Sequence, residues 1–410
     1  MKRKIPLGLL ALCAIGSASG QGMYYASADA KDSLPLKWTV GLSAIFDDNV
    51  APGSGEKQSS FGINPSVAMS LVSITPQTTW DVYARLGVIY YIDAPATMDQ
   101  ISPQSHAGVT FVHRFSEQLR FTSSNFIAYE LEPDYSYGYA SSRQNGAYFY
   151  WQSDNSVGYR WTERFATYSG LRLNATSYPD VADNDRFTWE IYNQFRYQLS
   201  PQSVLTTDVR YSETYGNGAA SDLSDFYLLG GMEHRFSANT IGIARAGAQF
   251  HSVSGGGKSY VSPYVEFAIN SQVTQPLSVR SYIRYGIEGS GNVQTLASGT
   301  QLVEFNDQRV LRFGLSSEYV ISPVFSLFGG VDYIPTSYAG GVTRPFGADP
   351  GGTAVGDYST DIFNAYIGVS MKINDYLTAS ASYNYTNSSS DFVGSSYDRN
   401  RINVGVTAQF

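Results

Sequence analysis

The segment Ile402-Asn403-Val404-Gly405-Val406-Thr407-Ala408-Gln409-Phe410 decides how the whole chain is read. Apolar Ile402, Val404, Val406, Ala408 and Phe410 alternate with small or polar Asn403, Gly405, Thr407 and Gln409. A period of two is that of a β-strand with one apolar and one wettable face. Ending on an aromatic residue, the strand needs a partner from elsewhere in the chain for its free edge. A first strand near Trp38–Phe46 supplies that partner if the sheet closes on itself. The expected fold class is all-β, a closed antiparallel up-and-down transmembrane β-barrel.

Working outward from that strand, the chain becomes a series of alternating runs joined by two kinds of connection. Eight are short and begin with turn-forming residues, such as Thr75-Pro76-Gln77, Ser116-Glu117-Gln118, Ser200-Pro201-Gln202, Ser322-Pro323-Val324 and Asn374-Asp375. Ser, Thr and Asn start such turns by bonding the backbone, and Pro by presetting φ. Nine others are longer and rich in Gly, Ser, Asp and Asn, near residues 47–59, 93–104, 131–145, 178–185, 216–223, 253–258, 289–305, 339–360 and 387–396. The two kinds alternate strictly, which gives about 18 strands, with the short turns periplasmic and the longer loops extracellular. The runs hold about 10–14 residues, against about 9–11 for a tilted strand to cross a bilayer.

The N-terminus reads as a signal peptide over residues 1–20, with basic Lys2, Arg3 and Lys4, an apolar core from Ile5 to Ile15 and small residues to Gly20. Residues 21–35 read as a short polar lead and 36–410 as the barrel. Losing the three basic residues takes the formal net charge from −8 to −11, and Cys13, the only cysteine, goes with them. Disulfides therefore play no part in the expected mature chain. An acidic chain without basic clusters does not suit nucleic acid. The 32 Tyr, 22 Phe and 39 Gly, with 15% charged residues, suit strands whose one face meets lipid. The expected location is the outer membrane of a Gram-negative bacterium, with lipid and lipopolysaccharide as neighbours.

Strand phase separates two faces. Val279, Ser281, Ile283 and Tyr285 oppose Arg280, Tyr282 and Arg284, and Leu205, Thr207, Val209 and Tyr211 oppose Asp208 and Arg210. An arginine facing lipid at the midplane costs about 2–4 kcal/mol, so the charged face is expected to line the lumen. The candidate pore-lining residues are Arg85, Arg172, Arg210, Arg245, Arg280, Arg284, Arg312, Asp208, Glu190, Glu266 and Glu318. These arginines either set ion selectivity or pair with lumen carboxylates and brace the wall. Tyr135, Tyr137 and Tyr139 mark a candidate constriction loop, with an ordinary surface loop as the alternative. Acids Asp47, Asp48, Asp134, Asp180, Asp183 and Asp185 read as solvated loop charges, with divalent-cation binding near lipopolysaccharide phosphates as the alternative.

Catalytic patterns are absent from the sequence: it has no nucleophile elbow, phosphate loop or metal-ligand pair, and no cofactor is expected. His113 and His234 sit beside Arg114 and Arg235 at periplasmic strand ends.

The hairpin Phe195-Arg196-Tyr197-Gln198-Leu199-Ser200-Pro201-Gln202, followed by Asp208-Val209-Arg210-Tyr211, resembles the second type of β-barrel porin family. The turns around Arg160-Trp161-Thr162-Glu163-Arg164-Phe165 and His234-Arg235-Phe236-Ser237 share its style. The resemblance implies an outer-membrane barrel, in some members associated with exopolysaccharide export. The last strand also resembles the signal read by the barrel assembly machinery, with Asn403, Gly405, Ala408 and Phe410 in its places. The leading functional expectation is a porin-like channel for passive diffusion of small hydrophilic solutes or ions, not an enzyme, and a homotrimer is the assembly that goes with it. A conduit or structural partner in exopolysaccharide export is the alternative. A surface adhesin using the long loops is the third reading.

Overall fold

The computed structural model describes residues 33–410 except 53–56, 96–98, 131–146, 179–184, 218–220, 255–258, 289–292, 296–300, 346–353 and 393–395. The expected signal peptide, most of the lead, and Tyr135, Tyr137 and Tyr139 lie outside the described residues.

In chain order the strands begin β1 Leu34–Asp47, β2 Ser60–Ile74, β3 Thr78–Tyr91, β4 Ile101–Arg114, β5 Leu119–Glu130 and β6 Tyr148–Arg160. They continue β7 Phe165–Ser177, β8 Arg186–Ser200, β9 Ser203–Gly216, β10 Leu223–Ser237, β11 Thr240–Val253, β12 Ser259–Thr274 and β13 Leu277–Ile287. The remainder are β14 Val293–Thr295, β15 Gln301–Val320, β16 Phe325–Pro345, β17 Tyr358–Lys372, β18 Leu377–Ser390 and β19 Tyr397–Gln409. Each strand pairs antiparallel with its neighbour, and β1 pairs with β19, so the sheet closes. The three-residue β14 pairs only with β15, beyond the end of β13, and the ring of eighteen closes without it.

Closure runs from Thr39↔Gln409 to Asp47↔Arg401. Beyond it, the Trp38 and Phe410 backbones exchange hydrogen bonds of 2.8 and 3.0 Å. The expected first strand is therefore correct in place but longer, beginning at Leu34 inside the segment read as lead.

The eight short turns form as their residue types dictate. Ser116 Oγ accepts from the Gln118 and Leu119 amides at 3.2 and 3.0 Å, and Thr162 Oγ1 accepts from the Phe165 amide at 3.0 Å. Asn374 Oδ1 takes the Tyr376 and Leu377 amides, both at 2.8 Å. Each side chain satisfies backbone donors that the ladder leaves open at the hairpin end.

Four loop boundaries differ from the sequence reading, the first at Ile101–Gln104, which begin β4. Ala339–Pro345, read as the start of the longest loop, continue β16, and residues 301–305 belong to β15. Asn387–Ser390 likewise continue β18. Gly and Ser suggest loops by composition, but cross-strand pairing holds these segments extended, which local propensity does not report.

Outward residues form a membrane belt. Leu42, Leu86, Leu171, Ile191, Leu228, Leu315 and Val404 are exposed on the outer face of the strand bodies. Near the short turns the exposed side chains become aromatic, as at Trp80, Phe115, Trp161, Phe236, Tyr376 and Phe410. Near the long loops Phe61, Tyr90, Tyr129, Phe149, Tyr215 and Phe250 do the same. An apolar band between two aromatic girdles matches a bilayer and its interfaces.

Much of the tyrosine is on the inner face, contrary to the lipid-facing role that composition suggested. Tyr83, Tyr168, Tyr192, Tyr282 and Tyr366 stand directly opposite Gly108, Gly158, Gly170, Gly314 and Gly330 on neighbouring strands. Each ring lies over its glycine where a Cβ would collide with it. The rings therefore lie along the wall, covering bare backbone.

One ladder stops early. β12 and β13 pair from Thr274↔Leu277 to Val265↔Tyr285, and two residues further the register sets Pro263 against Ile287. Proline has no N–H to give Ile287. The Gln249 carboxamide reaches across from β11 instead, donating to the Ile287 carbonyl at 2.9 Å and accepting from its amide at 2.8 Å. A side chain thus stands in for the missing strand backbone.

Candidate functional site

The inner wall from β6 to β15 carries a continuous ionic band. Asp154, Arg172 and Glu190 are direct cross-strand partners on β6, β7 and β8. Arg172 donates to Asp154 Oδ2 through Nε and Nη2 at 3.0 and 2.8 Å, and to Glu190 Oε1 at 2.5 Å. Tyr192, lying over Gly170, donates its hydroxyl to Asp154 at 2.7 Å.

Further round, Arg245 lies 3.3 Å from Asp208, 3.4 Å from Glu233 and 3.2 Å from Glu266. Gln194 donates to Asp208 at 2.8 Å, Arg196 donates to both oxygens of Glu233, and Arg210 lies 3.7 Å from Asp208. Arg284 and Arg312 face one another directly across β13 and β15. Two opposed cations repel, and Glu288 resolves this by accepting from Arg284 and from Arg312 Nε and Nη2 at 2.8 and 2.7 Å. In these contacts six guanidiniums meet six carboxylates, so the band is formally neutral.

The rest of the inner wall relies more on amides and hydroxyls, with fewer charged groups among them. Asn364 donates to Asp332 at 3.4 Å and accepts from Asn384 at 2.8 Å and Thr386 at 2.9 Å. Asn64 donates to Gln104 across β2 and β4. The inner face of β19, uncharged over Asn403–Gln409, carries Arg399 and Arg401 towards its extracellular end. Both donate to Asp47 of β1, Arg399 through Nε at 2.9 and 3.0 Å. Asp47 is therefore a fully buried seam residue and not a solvated loop acid. Asp48 accepts from the Asn400 amide at 2.6 Å. Above the seam, a hydrogen bond to Asp398 raises the Lys57 ammonium pKa.

Phe126, Tyr148 and Tyr150 on β5 and β6 form an aromatic cluster, and His106 lies beside Phe126 and Tyr83 with its Nδ1 3.2 Å from Glu130. Tyr178 packs against this cluster just beyond β7, and burial with the Asp185 carboxylate pushes its phenol up to about 12. His113 and His234 lie at periplasmic strand ends, 2.8 Å from the Thr78 and Ser203 hydroxyls and edge-on to Phe115 and Phe236. Among the described residues no three His, Cys, Asp or Glu side chains group as a metal site.

All eleven sequence candidates lie on the inner face, but they do not form one cluster. Arg172, Arg210, Arg245, Arg284, Arg312, Asp208, Glu190 and Glu266 join the band. Arg85 stands opposite His106, outside it. Arg280 is exposed between Asn270 and Ser316, and Glu318 is half-buried between Ser278 and Phe328. Sequence reasoning missed Asp154, Arg196, Glu233 and Glu288, which complete the pairs. Alternation marks the first three as inward; Glu288 fell at a loop boundary, where alternation gives no signal. Asn403, Gly405 and Ala408 lie within β19, with Phe410 following it.

The closed ring, the belt and the charged interior define an integral outer-membrane β-barrel of a Gram-negative bacterium. No family model matches the chain, so the hairpin style resembling the second-type porins has no matching model behind it. No curated protein matches either. Among solved structures, OccK2 (OpdF) of Pseudomonas aeruginosa in complex with glucuronate is similar at 10% identity, over 93% of this chain and 99% of that chain, with a TM-score of 0.45. The outer membrane protein OpdK of the same organism is similar at 12% identity, 92% and 99% coverage and a TM-score of 0.42. Its siderophore receptor PirA is similar at 9% identity, 92% and 80% coverage and a TM-score of 0.43. These likenesses are loose, and the assignment rests on the ring and the belt.

Proposed function

We propose that the barrel is a channel for passive diffusion of small hydrophilic solutes or ions across the outer membrane. The observation that carries this reading is the inner wall, polar or charged over most of a closed ring of eighteen strands. A ring of this size has room for an aqueous lumen; the buried guanidiniums and carboxylates of the wall are compensated by one another, and exposed Arg280 is an inner-face charge that meets water. An internally neutral band does not favour strong anion selectivity, because each arginine field is cancelled nearby. Arg280, exposed on the inner face, is the better candidate for influencing passing ions.

Planar-bilayer recording on the purified full chain tests this. Discrete conductance steps are expected, and their absence at every voltage sinks the channel reading. Arg280→Glu is expected to move the reversal potential towards cations. An unmoved potential makes Arg280 another part of the wall.

A further inference from the structure

We infer that the extracellular end of the β15–β16 hairpin is a lid over the barrel mouth, held down by Glu304; the inference rests on the channel reading and concerns its control. β15 and β16 have 20 and 21 residues, whereas the other ring strands have 11 to 16. At about 3.3 Å per residue the excess carries this hairpin roughly 15 Å or more beyond its neighbours.

One backbone feature marks where the excess begins. Gly340 has φ 67°, the one positive φ among the described residues, and it lies between the pairs Asp307↔Ala339 and Phe305↔Gly341. A left-handed residue within a strand favours glycine, and the register is the same on both sides of it, so the extension stays paired. Beyond it, Val303 and Phe305 are buried against Tyr338 and Phe392, with Val355 and Tyr358 beside them.

Glu304, 3% exposed, is also covered. Its carboxylate accepts from the Ser221 amide at 2.5 Å and the Ser221 hydroxyl at 3.0 Å. Ser221 belongs to the β9–β10 connection, and its carbonyl accepts from Arg186 of β8 at 3.3 Å. In the ring, β11, β12 and β13 stand between β10 and β15. Four strand spacings of about 4.8 Å make roughly 19 Å along the wall, so this contact bridges the mouth above those strands. The hairpin extension and the β9–β10 connection meet there, and Glu304 is the pin.

A Ser221→Cys/Glu304→Cys pair tests the lid. It is expected to cross-link on intact cells, spontaneously or with a short bis-thiol reagent. The linked barrel should pass current at least two-fold smaller than the same protein after reduction. Glu304→Ala is expected to raise conductance and speed liposome swelling with larger sugars. Failure to cross-link, with both single cysteines accessible to maleimide and wild-type current intact, overturns the lid alone. So does a cross-link whose reduction leaves current and swelling unchanged. Absence of current from wild type, Glu304→Ala and both redox states overturns the channel reading and the gate together.

Discussion

The two sides of the inner wall solve one problem in different ways. From β6 to β15, polar groups are held by ions, and Arg245 alone touches Asp208, Glu233 and Glu266. Around β17 and β18 the work is done by neutral groups such as Asn364, Asn384 and Thr386. A buried ion must be compensated by several partners, because losing one leaves a bare charge. A buried amide needs only its hydrogen bonds. The ionic side is therefore a linked network, and the neutral side a set of local contacts. Charges also stand outside the band at Arg85, Glu130 and Asp332, and at the seam Asp47 joins Arg399 and Arg401 to close the ring.

That contrast predicts unequal costs. Arg245→Met, which removes the one guanidinium that Asp208, Glu233 and Glu266 share, is expected to destabilise the folded barrel by about 3–5 kcal/mol. Asn364→Ala is expected to cost about 1–2 kcal/mol. Urea unfolding of the full chain in detergent micelles measures both, and equal losses would erase the distinction between the two sides.

Gly314→Val places a branched side chain under the Tyr282 ring, and a loss of about 1–3 kcal/mol is expected from the displaced packing. If the same assay shows no change, the tyrosine rings are free to swing into the lumen. Gln249→Leu should cost about 1–3 kcal/mol, since the Ile287 backbone then loses both partners. Faster amide exchange confined to Ile287 and its neighbours would locate that loss, and unchanged exchange would mean that water replaces the carboxamide. The smallest expected effect on the folded wall is that of deleting Phe410, which removes its two backbone bonds to Trp38. Outer-membrane abundance should fall more than single-channel conductance; the reverse pattern would assign Phe410 to the pore and not to assembly.

Much of the architecture was legible in particular residues. Ser116, Thr162 and Asn374 announce their turns because the same side chains that break a strand also bond the turn backbone. Alternation around Arg284 and Arg312 puts both on the inner face. It says nothing of Glu288, which lies where a strand pattern fades into a loop and yet settles the repulsion between them. Asp47 looked like a loop acid for the same reason: its partners Arg399 and Arg401 are more than 350 residues away.

Local chemistry in the sequence therefore determined the strands, their faces, the turns and the closing edge, because period and turn propensity act over a few residues. Tertiary structure alone decided which charges meet, where Pro263 breaks a ladder that Gln249 repairs, and how Glu304 reaches Ser221 across the mouth. Those outcomes depend on register and on ring closure, which bring distant residues within about 3 Å of one another, a separation that no local pattern encodes.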